Sequence, residues 1–312
     1  MISTSRQLRD QEIKRVSDFY DWIRDDWLDI STDANGRNPG MLNFGYWKAD
    51  TTNLCDAQIA LIDKIFGWLQ LPRTSNQPVG LEVGCGIGGA AVHLVRKMKV
   101  QLFCLDIVYK QLEIARERVI QEGVANFIFF QQGDGRSMPF ASNTFDFSYC
   151  IESSFHYQDV PTFLSENLRV LKPGATAIIA DITCKAPEAV RFRNGNFFYD
   201  FEVMQDWLQQ VGFEIVALER IGSQVFSPLY AYQVAINTPG REKLRRYWRL
   251  VLKNYAELAA AGLMGYDIFV VRKPATHRSE STATSVSQNE AEKSSVSSDE
   301  TSDPAQPDNT AR

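Results

Sequence analysis

Four stretches carry residues whose types and spacing could do chemistry. Leu81-Glu82-Val83-Gly84-Cys85-Gly86-Ile87-Gly88-Gly89 leaves an apolar run and opens a helical one. Glycines in such a turn let the backbone reverse sharply and let a ligand lie against the main chain with no Cβ in the way. The next apolar run ends in Asp106, twenty-two residues beyond Gly84. A carboxylate there can accept hydrogen bonds from both hydroxyls of a ribose. The third run ends in Gly133-Asp134-Gly135, which puts a second acid at the same rim, suited to the exocyclic amine of an adenine. Either aspartate alone reads equally well as a helix cap or turn residue. Together, at successive strand ends, they point to a nucleoside site. The fourth stretch, Cys150-Ile151-Glu152-Ser153-Ser154-Phe155-His156-Tyr157-Gln158-Asp159, leaves the fourth run. His156 is one of three histidines and the only one at that rim; His93 lies in a helical stretch and His277 near the C-terminal end. An alcohol acceptor needs a base, because a neutral hydroxyl is a poor nucleophile. A loop histidine bonded to backbone is the competing reading of His156.

Apolar runs at 79–83, 101–105, 127–131, 145–151 and 176–182 alternate with helical stretches at 88–98, 108–122, 160–171 and 200–211. Crossovers of that length predict an α/β fold, a doubly wound and mostly parallel sheet with helices on both faces. Strands at 213–221 and 265–272 complete a set of seven and flank an insertion at 222–262. Within it, 241–261 reads as a helix with Leu244, Trp248, Val251, Tyr255 and Leu258 along one side. Its arginines and lysines read as a solvated face, with a phosphate or membrane surface as the alternative. Ahead of the sheet, Val16, Phe19, Tyr20, Ile23, Trp27 and Ile30 recur at helical spacing, and a second helix runs from Cys55 to Leu69. The expected organisation is an N-terminal helical cap over 1–75, a sheet domain over 76–273 and a tail over 274–312.

Of 312 residues, 44% are apolar and 23% charged, which allows a substantial core. Net charge is −5, and the tail holds seven acidic against three basic side chains, so residues 1–273 are close to neutral. A body so balanced carries no electrostatic footprint for nucleic-acid binding. Fourteen of the 39 tail residues are Ser or Thr, with no Phe, Tyr, Trp, Leu or Ile. Such a segment cannot offset the entropy of ordering, and a disordered, solubilising extension is expected. Five scattered cysteines with no C-x-x-C pair argue against zinc, a redox dithiol or a disulfide framework, and no metal is expected. No run of eighteen apolar residues occurs, and the start lacks a signal-like apolar stretch. These features predict a cytoplasmic protein without stable membrane insertion. A homodimer is left open.

The Glu-x-Gly-x-Gly-x-Gly string at 82–88 resembles the first motif of class I S-adenosylmethionine-dependent methyltransferases. The resemblance continues through Asp106, Gly133-Asp134, Phe145-Asp146 and Leu171-Lys172-Pro173-Gly174, in order, over residues 79–221. It implies a Rossmann-like methyltransferase fold with an antiparallel last strand and S-adenosyl-L-methionine as cofactor. It implies that Glu82, Gly84, Cys85, Gly86 and Gly88 cradle the methionine part, that Asp106 binds the ribose, and that Asp134 with Gly135 or Arg136 flanks the adenine. Ile107, Gln111 and Ile151 complete the expected cofactor wall, and Met138 packs on the ring or is plain core.

The 152–159 stretch is similar to the Glu-Ser-x-x-His-x-x-Asp segment of small-molecule and sugar O-methyltransferases, with Gln158 where proline is usual. There the histidine is the base, and an acid ending the fifth strand, matched here by Asp181, assists. Asp181 is also open to capping a turn, and Glu152 to touching the cofactor or a cationic acceptor. Asn43-Phe44-Gly45-Tyr46-Trp47 resembles a passage found before the first motif in methyltransferases of small metabolites, lipids and terpenoids, which implies a lid and a cofactor contact from Tyr46. Aromatics in and before the insertion, including Phe198 and Tyr230, imply an apolar or ring-bearing small-molecule acceptor. The reading is methyl transfer to a hydroxyl oxygen of a natural-product, sugar or lipid-like metabolite. C- or N-methylation is the near alternative. A nicotinamide-dependent dehydrogenase and a non-catalytic cofactor-binding partner stand as readings from other classes.

Overall fold

Runs that are apolar on both faces become parallel strands, because helices cover both sides of such a sheet. The computed structural model describes residues 2–71, 77–193, 195–236 and 242–275. The predicted acidic tail, from 276 on, lies outside the described residues. Two helices come first, α1 (Ile2–Ile30) and α2 (Leu54–Phe66). Then follow β1 (Val79–Val83), α3 (Gly89–Lys97), β2 (Gln101–Asp106), α4 (Tyr109–Gln121) and β3 (Ile128–Gln132). The second half runs β4 (Phe145–Ile151), α5 (Val160–Val170), β5 (Leu171–Cys184), α6 (Phe201–Gln210) and β6 (Glu214–Arg220). The last described elements are α7 (Phe226–Ala235), α8 (Glu242–Ala260) and β7 (Met264–Arg272).

Seven strands form one sheet in the order β3-β2-β1-β4-β5-β7-β6, and β7 runs antiparallel to both its neighbours. The expected fold is borne out. Chain order reverses between β1 and β4, and their ends are level, Val83 opposite both Leu105 and Cys150. That reversal opens a crevice outside the carboxyl ends of the strands, the place where such sheets bind ligands. Two differences from the sequence reading stand out. β5 begins at Leu171, five residues early, and carries Pro173 and Gly174 across a register irregularity opposite Phe145 and Phe147. The α7 segment, FSPLYAYQVA, is apolar on nearly every side and so gave no helical period.

The N-terminal helices and the insertion form one packed body over the site. Trp27 of α1 is 1% exposed, and its ring lies 4.8 Å from Trp248 of α8 and 5.5 Å from Phe44. Trp27→Ala would cost about 3–5 kcal/mol, the usual toll of deleting a buried aromatic. On α8 the predicted Trp248, Val251, Tyr255 and Leu258 are buried, Leu252 joins them, and Leu244 is only partly buried. Its basic side is only partly a solvated face. Arg245 is buried, and the Arg249 guanidinium donates to the carbonyls of Gln233 (3.0 Å) and Ile236 (3.2 Å) at the end of α7. There it satisfies orphan carbonyls and meets the negative end of the helix dipole.

Candidate active site

Gly86 turns the chain after β1 with φ 53°, a left-handed conformation that disfavours any side chain. A Cβ on it would find only Leu42 Cδ1, at 4.0 Å, so open space lies above the loop. The first turn of α3 has no side-chain cap, which leaves its leading N–H groups for a ligand. A Cβ at Gly89 would stand 2.1 Å from the Gly40 carbonyl oxygen, so the segment after α1 lies directly on the loop. The buried Gln58 amide holds that segment, donating to the carbonyls of Met41 (3.0 Å) and Asn43 (2.9 Å).

Asp106 ends β2 with its Oδ2 accepting the Gly86 N–H (2.8 Å) and its Oδ1 the Val108 N–H (2.9 Å). A carboxylate offers about four lone-pair positions, so two remain for hydroxyls. Burial pushes its pKa up, against the pull of those backbone donors. A cleft of about 1030 Å³, including its open mouth, joins this acid to the glycine loop. Glu82, Gly84, Cys85, Gly86, Asp106, Ile107, Gln111, Gly135, Ile151, Glu152 and His156 all line it. Gln111 is 1% exposed, and among the described residues neither its oxygen nor its nitrogen has a hydrogen-bond partner. Buried amides are normally paired, so this one marks a place for a ligand.

Several expected site residues stand elsewhere. The Asp134 carboxylate turns away from the cleft. It takes the backbone N–H of Arg136 (2.8 Å), its guanidinium (2.9 Å) and that of Arg9 (3.0 Å). Against the cost of burial, the Arg136 hydrogen bonds hold Asp134 below the usual carboxylate range. Gly88 packs towards Ala115 of α4 instead of the ligand space. Tyr46 bonds through its N–H to Ala57, and its ring sits under the Lys64 ammonium at 5.3 Å. Phe198 packs between Phe155 and Tyr255, at 6.0 Å from each ring; Tyr230 packs on the core; neither lines the cleft. Met138 is core below the sheet.

Asp181, expected beside His156, instead builds the 3-10 turn Ser154–His156. Its Oδ2 accepts the N–H (2.7 Å) and hydroxyl of Ser154 and the N–H of Phe155 (3.2 Å), and its Oδ1 accepts the Ile182 N–H (2.8 Å). Burial raises its pKa to about 6 in spite of these donors. The turn delivers His156 to the cleft, 8% exposed, with Nε2 2.9 Å from the Tyr20 hydroxyl of α1. Desolvation, then the charge of Arg15, lowers its pKa to about 3; the Asn196 side chain works the other way. Among the described residues nothing stands within hydrogen-bonding geometry of Nδ1, the Asn196 side chain acting on the ring from farther off. His156 is therefore a neutral imidazole across the physiological range.

Glu152 is held with φ 50°, an uncommon conformation for a side-chain-bearing residue. Its Oε1 accepts the Phe44 N–H (2.8 Å) and the Tyr266 hydroxyl (2.9 Å). Desolvation lifts its pKa to about 8, and does the same for Glu82, also to about 8. Two carboxyls poised near neutrality in one cleft suit a positively charged occupant. The sequence reading missed the roof: Glu12, Ile13, Val16 and Tyr20 of α1 with Met41, Leu42 and Asn43. The signal was present in the four-residue spacing of 12, 16 and 20, which reads equally as core. From the Asn43–Trp47 passage, it is Asn43 and the Phe44 N–H that face the site.

Residues 81–179 match the family description "Methyltransferase domain". The chain is 30% identical over 174 residues to methyltransferase GfsG of Streptomyces halstedii, covering 55% of this chain and 59% of that one. It is 28% identical over 212 residues to O-methyltransferase cnsE of Penicillium expansum, covering 65% and 75%. The first match thus spans under two thirds of the relative. The solved structure of mycolic acid cyclopropane synthase CmaA1 complexed with SAH and CTAB superposes with a TM-score of 0.70 at 18% identity, covering 84% and 98%. That likeness concerns the fold.

Proposed function

We propose that this chain, whose residues 81–179 match a methyltransferase domain, is a class I S-adenosylmethionine-dependent methyltransferase that transfers a methyl group to a small organic acceptor, with a hydroxyl oxygen as the favoured atom. The observation that carries the proposal is the cleft itself. It joins a bare glycine turn, Asp106, an unpaired buried Gln111 and two neutral-range carboxyls. S-Adenosylmethionine supplies an already activated methyl on a sulfonium, so the protein's task is alignment and exclusion of water. Asp106 has lone pairs for the ribose, Gln111 has amide groups for the adenine edge, and Glu82 and Glu152 favour the positive charge. The roof from α1, tied down by Arg136–Glu12 (2.8 Å) and Arg9–Asp134, keeps water out.

His156 holds a proton only under constraint. A base role at Nδ1 requires the tautomer in which Nε2–H donates to the Tyr20 oxygen. Asp181 acts through the turn that carries His156, as a positioning residue. One observation favours a second reading. A general base works best with a pKa near the operating pH, and in this cleft that describes Glu152 at about 8 more than His156 at about 3. An amine or π-bond acceptor that becomes cationic would be met by the Glu152 carboxylate. Five free cysteines, all buried, support a reducing cytoplasmic setting. Among the described residues no helix is long and apolar enough to cross a membrane.

The test is incubation of metabolite extracts with methyl-labelled cofactor, followed by mass spectrometry of the products. Label in a small molecule, on oxygen, supports the first reading. Label on nitrogen or carbon supports the second, and no labelled small molecule with any extract counts against both.

A further inference from the structure

The roof carries one oxygen that the methyl-transfer reading leaves unused. Glu12 of α1 lines the cleft, and its Oε2 forms an ion pair with the Arg136 guanidinium at 2.8 Å. Its Oε1 is buried and, among the described residues, has no hydrogen-bond partner. A carboxylate oxygen kept from water without a donor is costly, so this one calls for a donor that a ligand brings. The group is also held in place. Arg136, its partner, is fixed by the Asp134 carboxylate at 2.9 Å and lies 5.5 Å over the Tyr157 ring.

We propose that Glu12 Oε1 accepts the exocyclic amine of the cofactor's adenine, so that the roof helix reads the base. The inference rests on the methyl-transfer reading of the cleft. Position selects this part of the cofactor. Glu82 and Glu152, which favour the sulfonium, stand at the ends of β1 and β4, and Asp106, which has lone pairs for the ribose, ends β2. The sheet order continues from β4 through β1 and β2 to β3. A ligand with its sulfonium at β1 and β4 and its ribose at β2 therefore brings its base to the β3 end of the rim. Glu12 is tied there, because Arg136 belongs to the loop after β3, and Gly133 and Gly135 of that loop line the cleft. A Cβ on Gly133 would stand 2.8 Å from Leu105 Cδ1, and Leu105 and Ile107 give the cleft apolar walls for a flat ring. Chemistry selects the edge. The exocyclic amine of adenine donates, whereas its ring nitrogen N7 accepts, and an ionised carboxylate can only accept. Asp134, the acid that the sequence suggests for this contact, is taken by Arg136 and Arg9.

The experiment is calorimetry on the full chain with S-adenosylhomocysteine and with S-inosylhomocysteine, in which a carbonyl oxygen replaces the amine. Wild type should prefer the adenosyl ligand, because the inosyl carbonyl sets one acceptor against another. Glu12→Gln keeps the side-chain length and one oxygen for Arg136, and its amide N–H can meet the inosyl carbonyl. The preference should therefore fall about tenfold, the worth of one hydrogen bond to a charged group. The readout is a ratio of two affinities on one protein, so a reduced folded fraction cancels, and contacts at other atoms of the base are shared by wild type and variant. Equal affinities of wild type for the two ligands, or a ratio in Glu12→Gln within threefold of wild type, would overturn the proposal and leave the cofactor assignment standing. If wild type binds neither ligand, the methyl-transfer reading falls and the Glu12 contact falls with it.

Discussion

Asp181→Asn and Asp181→Ala separate a positioning carboxylate from a catalytic one. The alanine variant strands three buried N–H groups, those of Ser154, Phe155 and Ile182, and the Ser154 hydroxyl. An unsatisfied buried donor costs about 1–3 kcal/mol, and with partial relaxation the total should be about 3–5 kcal/mol. The asparagine keeps one acceptor oxygen for Ser154 and loses the one facing Ile182. It also removes a carboxyl that burial disfavours when ionised, so it should lie within about 2 kcal/mol of wild type. The sign with pH is specific. The folded pKa of Asp181 is raised from 3.8 to about 6. Wild type therefore loses stability as pH climbs through 6, the asparagine variant does not, and the gap between them narrows from pH 5 to pH 7. Urea denaturation with an unchanged slope reads the stability, and release of S-adenosylhomocysteine with an identified acceptor reads turnover. Asp181→Asn should keep turnover within about threefold, since a positioning role needs the turn and not the charge. A loss of a hundredfold or more in kcat, with the urea midpoint unmoved, would refute the capping account and restore Asp181 to the chemistry.

Asp106→Ala should weaken S-adenosylhomocysteine at least tenfold by calorimetry, because two ribose bonds and the Gly86 tether go together; unaltered affinity would mean that this acid does not hold the ribose. Glu82 and Glu152, both at about 8 when the cleft is free, should lose protons to a cationic ligand. Affinity for S-adenosylmethionine should then rise from pH 6 to pH 8 and level off above, with net proton release in buffers of differing ionisation enthalpy; proton uptake at pH 7 would contradict this. The His156 ring resonances, assigned by loss in His156→Gln, should stay flat from pH 5 to pH 9. A midpoint between 6 and 7 would mean that the imidazole is not desolvated as described. Tyr20→Phe removes the partner of Nε2 and should lower kcat more than it changes the cofactor affinity; equal activity would take Tyr20 out of the mechanism.

The sheet was legible because its signals are local. Alternating apolar runs and crossover lengths placed all seven strands within a few residues, β5 apart. The early start of β5 follows from pairing with β4 across Pro173 and Gly174, which single-residue preferences oppose. Glu82, Gly86, Asp106, Gln111 and His156 reach one cleft because each stands at, or a few residues from, the carboxyl end of a strand on the same rim. Asp134 does not, since a flexible guanidinium two residues away claims its carboxylate, and nothing in the spacing reveals which way a side chain turns. Tyr46, Phe198 and Tyr230 fail for a related reason: an aromatic suits a core as well as a pocket wall. Tyr20 was hidden in the same way, on a helical stripe that reads as core until α1 is laid over the strands.

Calorimetric titration of the full chain with S-adenosylhomocysteine, and in parallel with NAD, tests the central claim most directly. Saturable one-to-one binding of the homocysteine nucleoside, with no heat from NAD, is the expected result. Binding of NAD without the homocysteine nucleoside, or of neither, would contradict the assignment of the β1–β4 crevice to an adenosyl sulfonium.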